Sequence, residues 1–171
     1  MKRQCIFIGD SYVGKTSIIQ SLPVNSEVAS TIGVDVHHYL FNNIDLNIWD
    51  TTGNPNFHPL IRTFEKSCNT IVYVFAANDT NSFESICNFH NEFSNPKKKF
   101  FCICNKMDLA NNGNEFKGYL KQLYPEIIFM ESSNQILNNR EIILQNIITN
   151  SNHKQEERLV TSLPSSCCVI S

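Results

Sequence analysis

The sequence predicts an α/β domain built on a largely parallel sheet. Three observations carry this. Short, continuously apolar runs such as Gln4 to Ile8, Thr70 to Ala76 and Phe100 to Cys104 read as strands covered on both faces. Segments with helical spacing alternate with them. Residues suited to binding and chemistry cluster just after the runs, where ligands sit in such sheets. The 171 residues are enough for one domain with one core, and periodicity holds over residues 1–150. From Ser151 to Ser171 periodicity is lost, and this stretch reads as a flexible tail.

In chain order, Gln4 to Ile8 ends at Gly9, and Lys15 to Leu22 has helical character until Pro23 stops it. Val24 to Thr31 is polar and is expected to be irregular. Val34 to Phe41 and Ile44 to Trp49 are strand-like and joined by Asn42-Asn43, a hairpin-type connection. Thr51 to Phe57, with Gly53 and Pro55, reads as a loop. Beyond the Thr70 strand, Phe83, Ile86, Cys87, His90 and Phe93 fall at helical spacing, with Ser82 as candidate N-cap. After the Phe100 strand, Asn111 to Asn114 is a turn and Phe116 to Leu123 a helix ended by Pro125. Ile127 to Met130 is the last strand and Glu141 to Ile148 the last helix.

Composition excludes several classes. A net charge of -2 leaves no strongly basic surface for nucleic acid. The longest apolar stretch, Ile71 to Ala77, is too short to span a bilayer. Met1-Lys2-Arg3-Gln4 runs straight into a strand-like segment, so no secretory signal is expected. The seven cysteines are odd in number and form no matched CxxC pairs, so neither a zinc site nor a disulfide framework is expected. Cys5, Cys102 and Cys104 lie in apolar strands and read as small buried hydrophobes.

Three motifs carry chemistry. Gly9-Asp10-Ser11-Tyr12-Val13-Gly14-Lys15-Thr16 fits G-x-x-x-x-G-K-[ST], follows a strand and opens a helix. Such a loop turns its backbone N–H groups onto phosphate oxygens, and the helix N-terminus adds partial positive charge. Lys15 can reach the β- and γ-phosphates, and the Thr16 hydroxyl can hold Mg²⁺. Asp50-Thr51-Thr52-Gly53 supplies a carboxylate for Mg²⁺ and a Gly53 N–H for the γ-phosphate, where a side chain would crowd the oxygens. Asn105-Lys106-Met107-Asp108 follows the Phe100 strand. A carboxylate accepts two hydrogen bonds, and guanine offers two adjacent donors where adenine lacks the pair. Asp108 therefore predicts guanine, since such a site rejects the analogue that leaves it unpaired.

These motifs, in this order, resemble those of the Ras-like small GTPases. Ser30-Thr31-Ile32-Gly33-Val34-Asp35 and Leu46-Asn47-Ile48-Trp49-Asp50-Thr51-Thr52-Gly53 are similar to the first and second switches of the Rab branch. The resemblance implies a P-loop NTPase small G domain over residues 1–150, with a mixed, mostly parallel six-stranded sheet and helices on both faces. It implies that Asp10, Ser11, Tyr12, Val13, Gly14, Lys15, Thr16 and Ser17 wrap the phosphates of GTP or GDP. Thr16, Thr31 and Asp50 would hold Mg²⁺, and Thr31 and Gly53 would close on the γ-phosphate. Asn105, Lys106, Asp108, Ser133 and Asn134 would hold guanine. The implied function is a GTP/GDP switch in vesicle trafficking, whose loops relax after hydrolysis. Implied partners are an exchange factor, a GTPase-activating protein, effectors and the prenylation machinery. The implied location is the cytoplasmic face of an intracellular membrane, cycling with the cytosol.

Several residues depart from the family. Lys15 and Asn54 are the candidate catalytic groups, but relatives usually have glutamine where Asn54 stands. The shorter side chain recedes by about 1.5 Å, and a misplacement of about 1 Å can cost on the order of 100-fold. Pro55 also pushes Asn54 from helical dihedrals. Slow intrinsic hydrolysis is therefore expected, and the alternative is a nucleotide-binding scaffold that hydrolyses little or nothing. An ATP-using kinase or ATPase is disfavoured by Asp108. The first switch is short, Pro23 to Ser30 has no aromatic residue to stack on guanine, and Gln135 replaces a lysine that packs on the base. Tyr12 is bulky for a phosphate loop and is expected to point outward. Asn56-Phe57-His58-Pro59-Leu60-Ile61 replaces the aromatic-rich second-switch segment. His37-His38 are expected to face solvent, Lys97-Lys98-Lys99 to form a solvated loop, and Trp49 to pack on the core. Arg62 is not expected to act as an arginine finger.

The chain ends Cys167-Cys168-Val169-Ile170-Ser171, and its last four residues fit C-a-a-X. The terminal serine alone points to farnesyl. The Rab resemblance and adjacent Cys167 point instead to two geranylgeranyl groups on Cys167 and Cys168. One lipid chain anchors only marginally, and Lys154 and Arg158 add little electrostatic help.

Overall fold

The computed structural model describes residues 2–22, 27–31, 33–41, 43–110, 112–133 and 139–149. Strand β1 (Lys2–Ile8) leads through a glycine-bounded loop into helix α1 (Lys15–Gln20), followed by β2 (Glu27–Thr31), β3 (Val34–Phe41) and β4 (Ile44–Thr51). A 3-10 turn at Pro55–Phe57 enters α2 (His58–Glu65). Then come β5 (Thr70–Ala76), α3 (Thr80–Phe93), β6 (Lys99–Asn105), α4 (Gly113–Leu123), β7 (Ile128–Glu131) and α5 (Asn139–Thr149). The strands form one sheet in the order β2-β3-β4-β1-β5-β6-β7. Pairings from β4 through β1, β5 and β6 to β7 are parallel. Those of β2 with β3 and β3 with β4 are antiparallel.

The six strands expected for a small G domain are present, and β2 joins them at the edge. The irregular backbone expected for Val24 to Thr31 is not found over Glu27–Thr31. Polar side chains there read as a loop, but an edge strand needs its backbone groups paired on one side only. The ladder from Glu27↔His38 to Thr31↔Val34 supplies that pairing.

Two apolar layers sandwich the sheet. Cys5 and Phe7 of β1, with Val72 and Val74 of β5, pack under α1 and α5 through Ile18, Ile19, Ile143, Leu144 and Ile147. Ile6 and Ile8, with Tyr73 and Phe75, pack under α2, α3 and α4 through Ile61, Phe83, Ile86, Phe89 and Phe116. All seven residues of β5 are buried, as a central parallel strand with both faces covered requires. Cys5, Cys102 and Cys104 are buried as expected, and burial pushes each thiol up.

Four local features differ from the sequence reading or add to it. Helix α3 is capped by Asp79, not Ser82: the Asp79 side chain accepts from the Ser82 N–H at 3.4 Å, while the buried Ser82 hydroxyl accepts from the Ala76 N–H. Helix α2 occupies a stretch with no sequence assignment, with Pro59 in its first turn. His37 and His38 do not both face solvent, because consecutive strand residues alternate. His37 is buried and stacks on Tyr39, whereas exposed His38 bonds Asn47 through Nδ1 at 2.7 Å.

Lys98 is the fourth. It is not a solvated charge: its Nζ donates to the Glu65 carbonyl at 2.7 Å and to the Glu65 carboxylate, with both side chains 10% exposed. The pair pins the end of α2 to the loop before β6. Lys98→Met leaves a nearly buried carboxylate alone and is expected to lower stability by about 2–3 kcal/mol, less than a fully buried pair because a tenth of each side chain stays wet. Urea denaturation checks it, and adding Glu65→Met should recover most of the loss. An unchanged midpoint in Lys98→Met would mean that solvent, not Lys98, carries the Glu65 charge.

Candidate nucleotide site

The loop after β1 lies beside the carboxyl ends of β4, β1 and β5, where parallel strands leave a crevice. Gly14 has φ +99, and a Cβ there would lie 2.3 Å from Asn105 Nδ2, so both backbone and space demand glycine. Tyr12 also has positive φ, +66, and is 93% exposed, which bears out its outward direction. Lys15 is buried, and its Nζ donates to the carbonyls of Gly9 at 2.8 Å and Asp10 at 2.7 Å. Burial pushes the Lys15 ammonium down to about 8, against the opposing pull of Asp50 and Asp10. Helix α1 has only six residues, so the loop amides and Lys15, more than a helix dipole, are the groups available to anions. A cavity of about 520 Å³ opens here, lined by Ser11, Tyr12, Gly14, Lys15, Thr16, Ser17, Thr51, Thr52, Gly53, Asn105 and Lys106.

Thr16 also lines an adjoining cavity of about 270 Å³, where it meets Asp50. Thr16 Oγ1 donates to Asp50 Oδ2 at 2.6 Å. The second oxygen, Asp50 Oδ1, is buried without a partner. Burial raises the Asp50 carboxyl, opposed by the Thr16 bond and the Lys15 charge. A buried, unpartnered carboxylate oxygen beside a hydroxyl is an oxygen donor set suited to a hard cation, and it fits Mg²⁺. Thr31 is not brought to this pair. Its pairing with Val34, which itself pairs with Thr51, holds its backbone two strand spacings out, about 10 Å along the sheet.

Gly53 sits against the phosphate loop itself. A Cβ there would meet Ser11 N at 2.0 Å and the Asp10 carbonyl carbon at 2.1 Å. The crowding that demands glycine thus comes first from protein backbone. Asn54 is extended, φ -81 and ψ 123, and its Oδ1 accepts from the Asn56 N–H at 3.0 Å, capping the Pro55–Phe57 turn. Trp49 is half-buried, packs its ring at a tilt on Phe64 of α2, centroids 4.6 Å apart, and donates Nε1–H to Gln4 Oε1 at 2.7 Å. Arg62 pairs with Glu92.

The third motif lies after β6. Asn105 Nδ2 donates to the Val13 carbonyl at 2.9 Å, tying this loop to the phosphate loop. The Met107 N–H bonds the Ser132 carbonyl at 3.2 Å, which brings the segment of buried Ser133 alongside. Asp108 is exposed. Asn134, Gln135, Cys167 and Cys168 lie outside the described residues. Sequence reasoning missed Ser85, whose hydroxyl donates to Asp10 Oδ2 at 2.7 Å. Seventy-five residues separate the two, and no motif announces the contact.

A phosphate loop between first strand and first helix, a hydroxyl–carboxylate pair at its inner end and a tethered Asn-Lys-x-Asp loop define a phosphate-loop nucleotide-binding domain. The Ras family matches residues 4–153, and the chain belongs to that family. Its similar proteins place it on the Rab branch, as a divergent member. It is 35% identical over 118 residues to Ras-related protein RABG3b of Arabidopsis thaliana, covering 61% of this chain and 58% of the relative. It is 31% identical to Ypt/Rab-type GTPase ypt7 of Schizosaccharomyces pombe, with coverage of 61% and 58%. It is 26% identical to Ras-related protein RabC of Dictyostelium discoideum over 75% of each chain. The match spans about three-fifths of the length of the first two relatives. Among the described residues no helix is long and apolar enough to cross a membrane.

Proposed function

We propose that this chain is a GTP/GDP switch of the Rab type with slow intrinsic hydrolysis. The observation that carries the reading is the single cavity walled by Lys15 and Thr16, by Thr52 and Gly53, and by Asn105 and Lys106. Phosphate, second-switch and base-reading segments therefore face one ligand. The loop amides and Lys15 bind the phosphates, and Asp108 selects guanine. Thr16 and Asp50 hold Mg²⁺, which offsets phosphate charge when bound. Thr31 joins them once the end of β2 leaves β3, and Gly53 follows the γ-phosphate, so that two segments change together. Vesicle trafficking, regulators and effectors follow from the family. Membrane attachment follows from lipids on Cys167 and Cys168, and the tail over residues 151–171 acts as a tether for the 1–150 domain.

Slow hydrolysis is supported by the Asn54 amide. Besides being short, its oxygen already accepts from the Asn56 N–H, so it is drawn away from a water that must be oriented. The same observation favours the second reading, a scaffold that binds nucleotide and hydrolyses none. Single-turnover GTP hydrolysis on the purified full chain separates them. Asn54→Gln is expected to raise the rate by roughly 100-fold over a slow wild type, since about 1 Å of misplacement carries that cost. A wild type as fast as the variant refutes the role given to Asn54, and a variant still inert supports the scaffold. Retention of ATP in preference to GTP would overturn the guanine assignment.

A further inference from the structure

Ser85, Phe89 and Glu92 lie four and three residues apart on α3 and therefore share one stripe of that helix. Ser85 reaches the phosphate loop and Phe89 and Glu92 reach α2, while none of the three lines the cavity. The Ser85 hydroxyl donates to Asp10 Oδ2 at 2.7 Å, so the phosphate loop's carboxylate is turned toward α3. Phe89 is buried and meets the His58 ring edge-on, centroids 5.2 Å apart. Glu92 pairs with Arg62, one turn beyond His58 on α2. The helix carrying this stripe is bolted down at its start: Asp79 caps it, and the buried Ser82 hydroxyl links the Ala76 N–H to the Asp79 carbonyl. One face of a rigid helix thus grips both the phosphate loop and the helix of the second switch.

The chemistry of that grip concerns charge. A carboxylate in a loop that receives polyphosphate repels it unless it is directed away. The Ser85 hydrogen bond directs it away. We propose that Ser85 is a positioning residue for nucleotide retention, acting through the Asp10 carboxylate, and that the Phe89–His58 contact on the same stripe links it to α2. The inference rests on the guanine-nucleotide reading given above.

The test is the release rate of a fluorescent GDP analogue from the full chain, chased with unlabelled GDP. Ser85→Ala is expected to release it about three- to tenfold faster, below the full value of a hydrogen bond to a charged group because the contact is partly exposed. Ser85→Thr keeps the donor and should restore slow release. Asp10→Asn removes the charge, so adding Ser85→Ala to it should change nothing further, a result that a merely structural role for Ser85 would not produce. The excess rate in Ser85→Ala should also shrink at high salt. His58→Ala should speed release in the Ser85 protein and add nothing to Ser85→Ala. A wild-type release rate in Ser85→Ala overturns the proposal, as does an undiminished effect in the Asp10→Asn background or independent multiplication of the His58 and Ser85 effects. If wild type takes up no guanine nucleotide, the functional reading falls and this one with it. If it does take up nucleotide and Ser85→Ala is silent, only this one falls.

Discussion

Lys15→Ala is expected to weaken guanine nucleotide binding by about 100-fold or more, because it removes charge-assisted hydrogen bonds worth roughly 1.5–3 kcal/mol each. Lys15 is buried and donates to the Gly9 and Asp10 carbonyls, which places its charge inside the phosphate loop. The same residue sets a pH dependence. With the free ammonium pushed down to about 8, Lys15 loses its proton above that pH, and a polyphosphate must bring the proton back. Affinity should therefore fall as pH rises above about 8, by up to tenfold per unit, with about one proton taken up on binding. For the free chain the sign is opposite. The unfolded lysine, at its ordinary value of 10.5, binds more protons than the folded one between about 8 and 10.5, so folding stability rises across that window. Titration calorimetry in buffers of different ionisation enthalpy measures the proton uptake, which should vanish in Lys15→Ala. Equal uptake in both proteins would assign the proton to another group.

Gly53→Ala is expected to uncouple the second switch from nucleotide. The added methyl would lie 2.0 Å from Ser11 N and 2.1 Å from the Asp10 carbonyl carbon, both backbone atoms that cannot swing aside. Overpacking of this kind costs about 1–3 kcal/mol. The segment from Thr52 to Asn54 must lift off the phosphate loop, and Gly53 then fails to follow the γ-phosphate. Trp49 is the chain's one tryptophan and packs on Phe64 of α2, so its fluorescence reports the second switch directly. Wild type should show a difference between GDP and a non-hydrolysable GTP analogue, and Gly53→Ala should lose most of it while still binding GDP. A variant with an undiminished difference would show that close approach of Gly53 to the loop plays no part in switching.

The two experiments probe different walls of one cavity. On the proposed reading, Lys15 governs whether the phosphates are held, and Gly53 governs whether the chain responds to their number. Asn54 bears on a third step, the lifetime of the triphosphate state, and Ser85 on the lifetime of the bound nucleotide. The four positions are read by affinity, fluorescence difference, hydrolysis rate and release rate respectively.

Much of the site was legible in the chain because its chemistry is local. Gly9 to Thr16, Asp50 to Gly53 and Asn105 to Asp108 each hold their own donors and acceptors within a few residues, and each follows an apolar run whose burial places it at a strand end. Where a reading depended on contacts between distant segments, it failed. His37 and Lys98 looked solvated from their neighbours in sequence. One is buried and stacks on Tyr39, and the other meets Glu65, 33 residues earlier. Glu27–Thr31 looked like a loop because side-chain polarity says nothing about backbone pairing at an edge.

Residue order alone dictated the sandwich of helices on a largely parallel sheet, the family, and the groups proposed to face phosphate, since alternation and motif spacing are properties of a few neighbouring positions. Only folding in three dimensions decided that the Asp50 oxygen is left without a partner, that the Asn54 amide turns to cap a helical turn, and that Ser85 reaches Asp10. Those outcomes depend on which surfaces exclude water and which atoms come within 3 Å, and neither follows from the order of residues until the helices have docked.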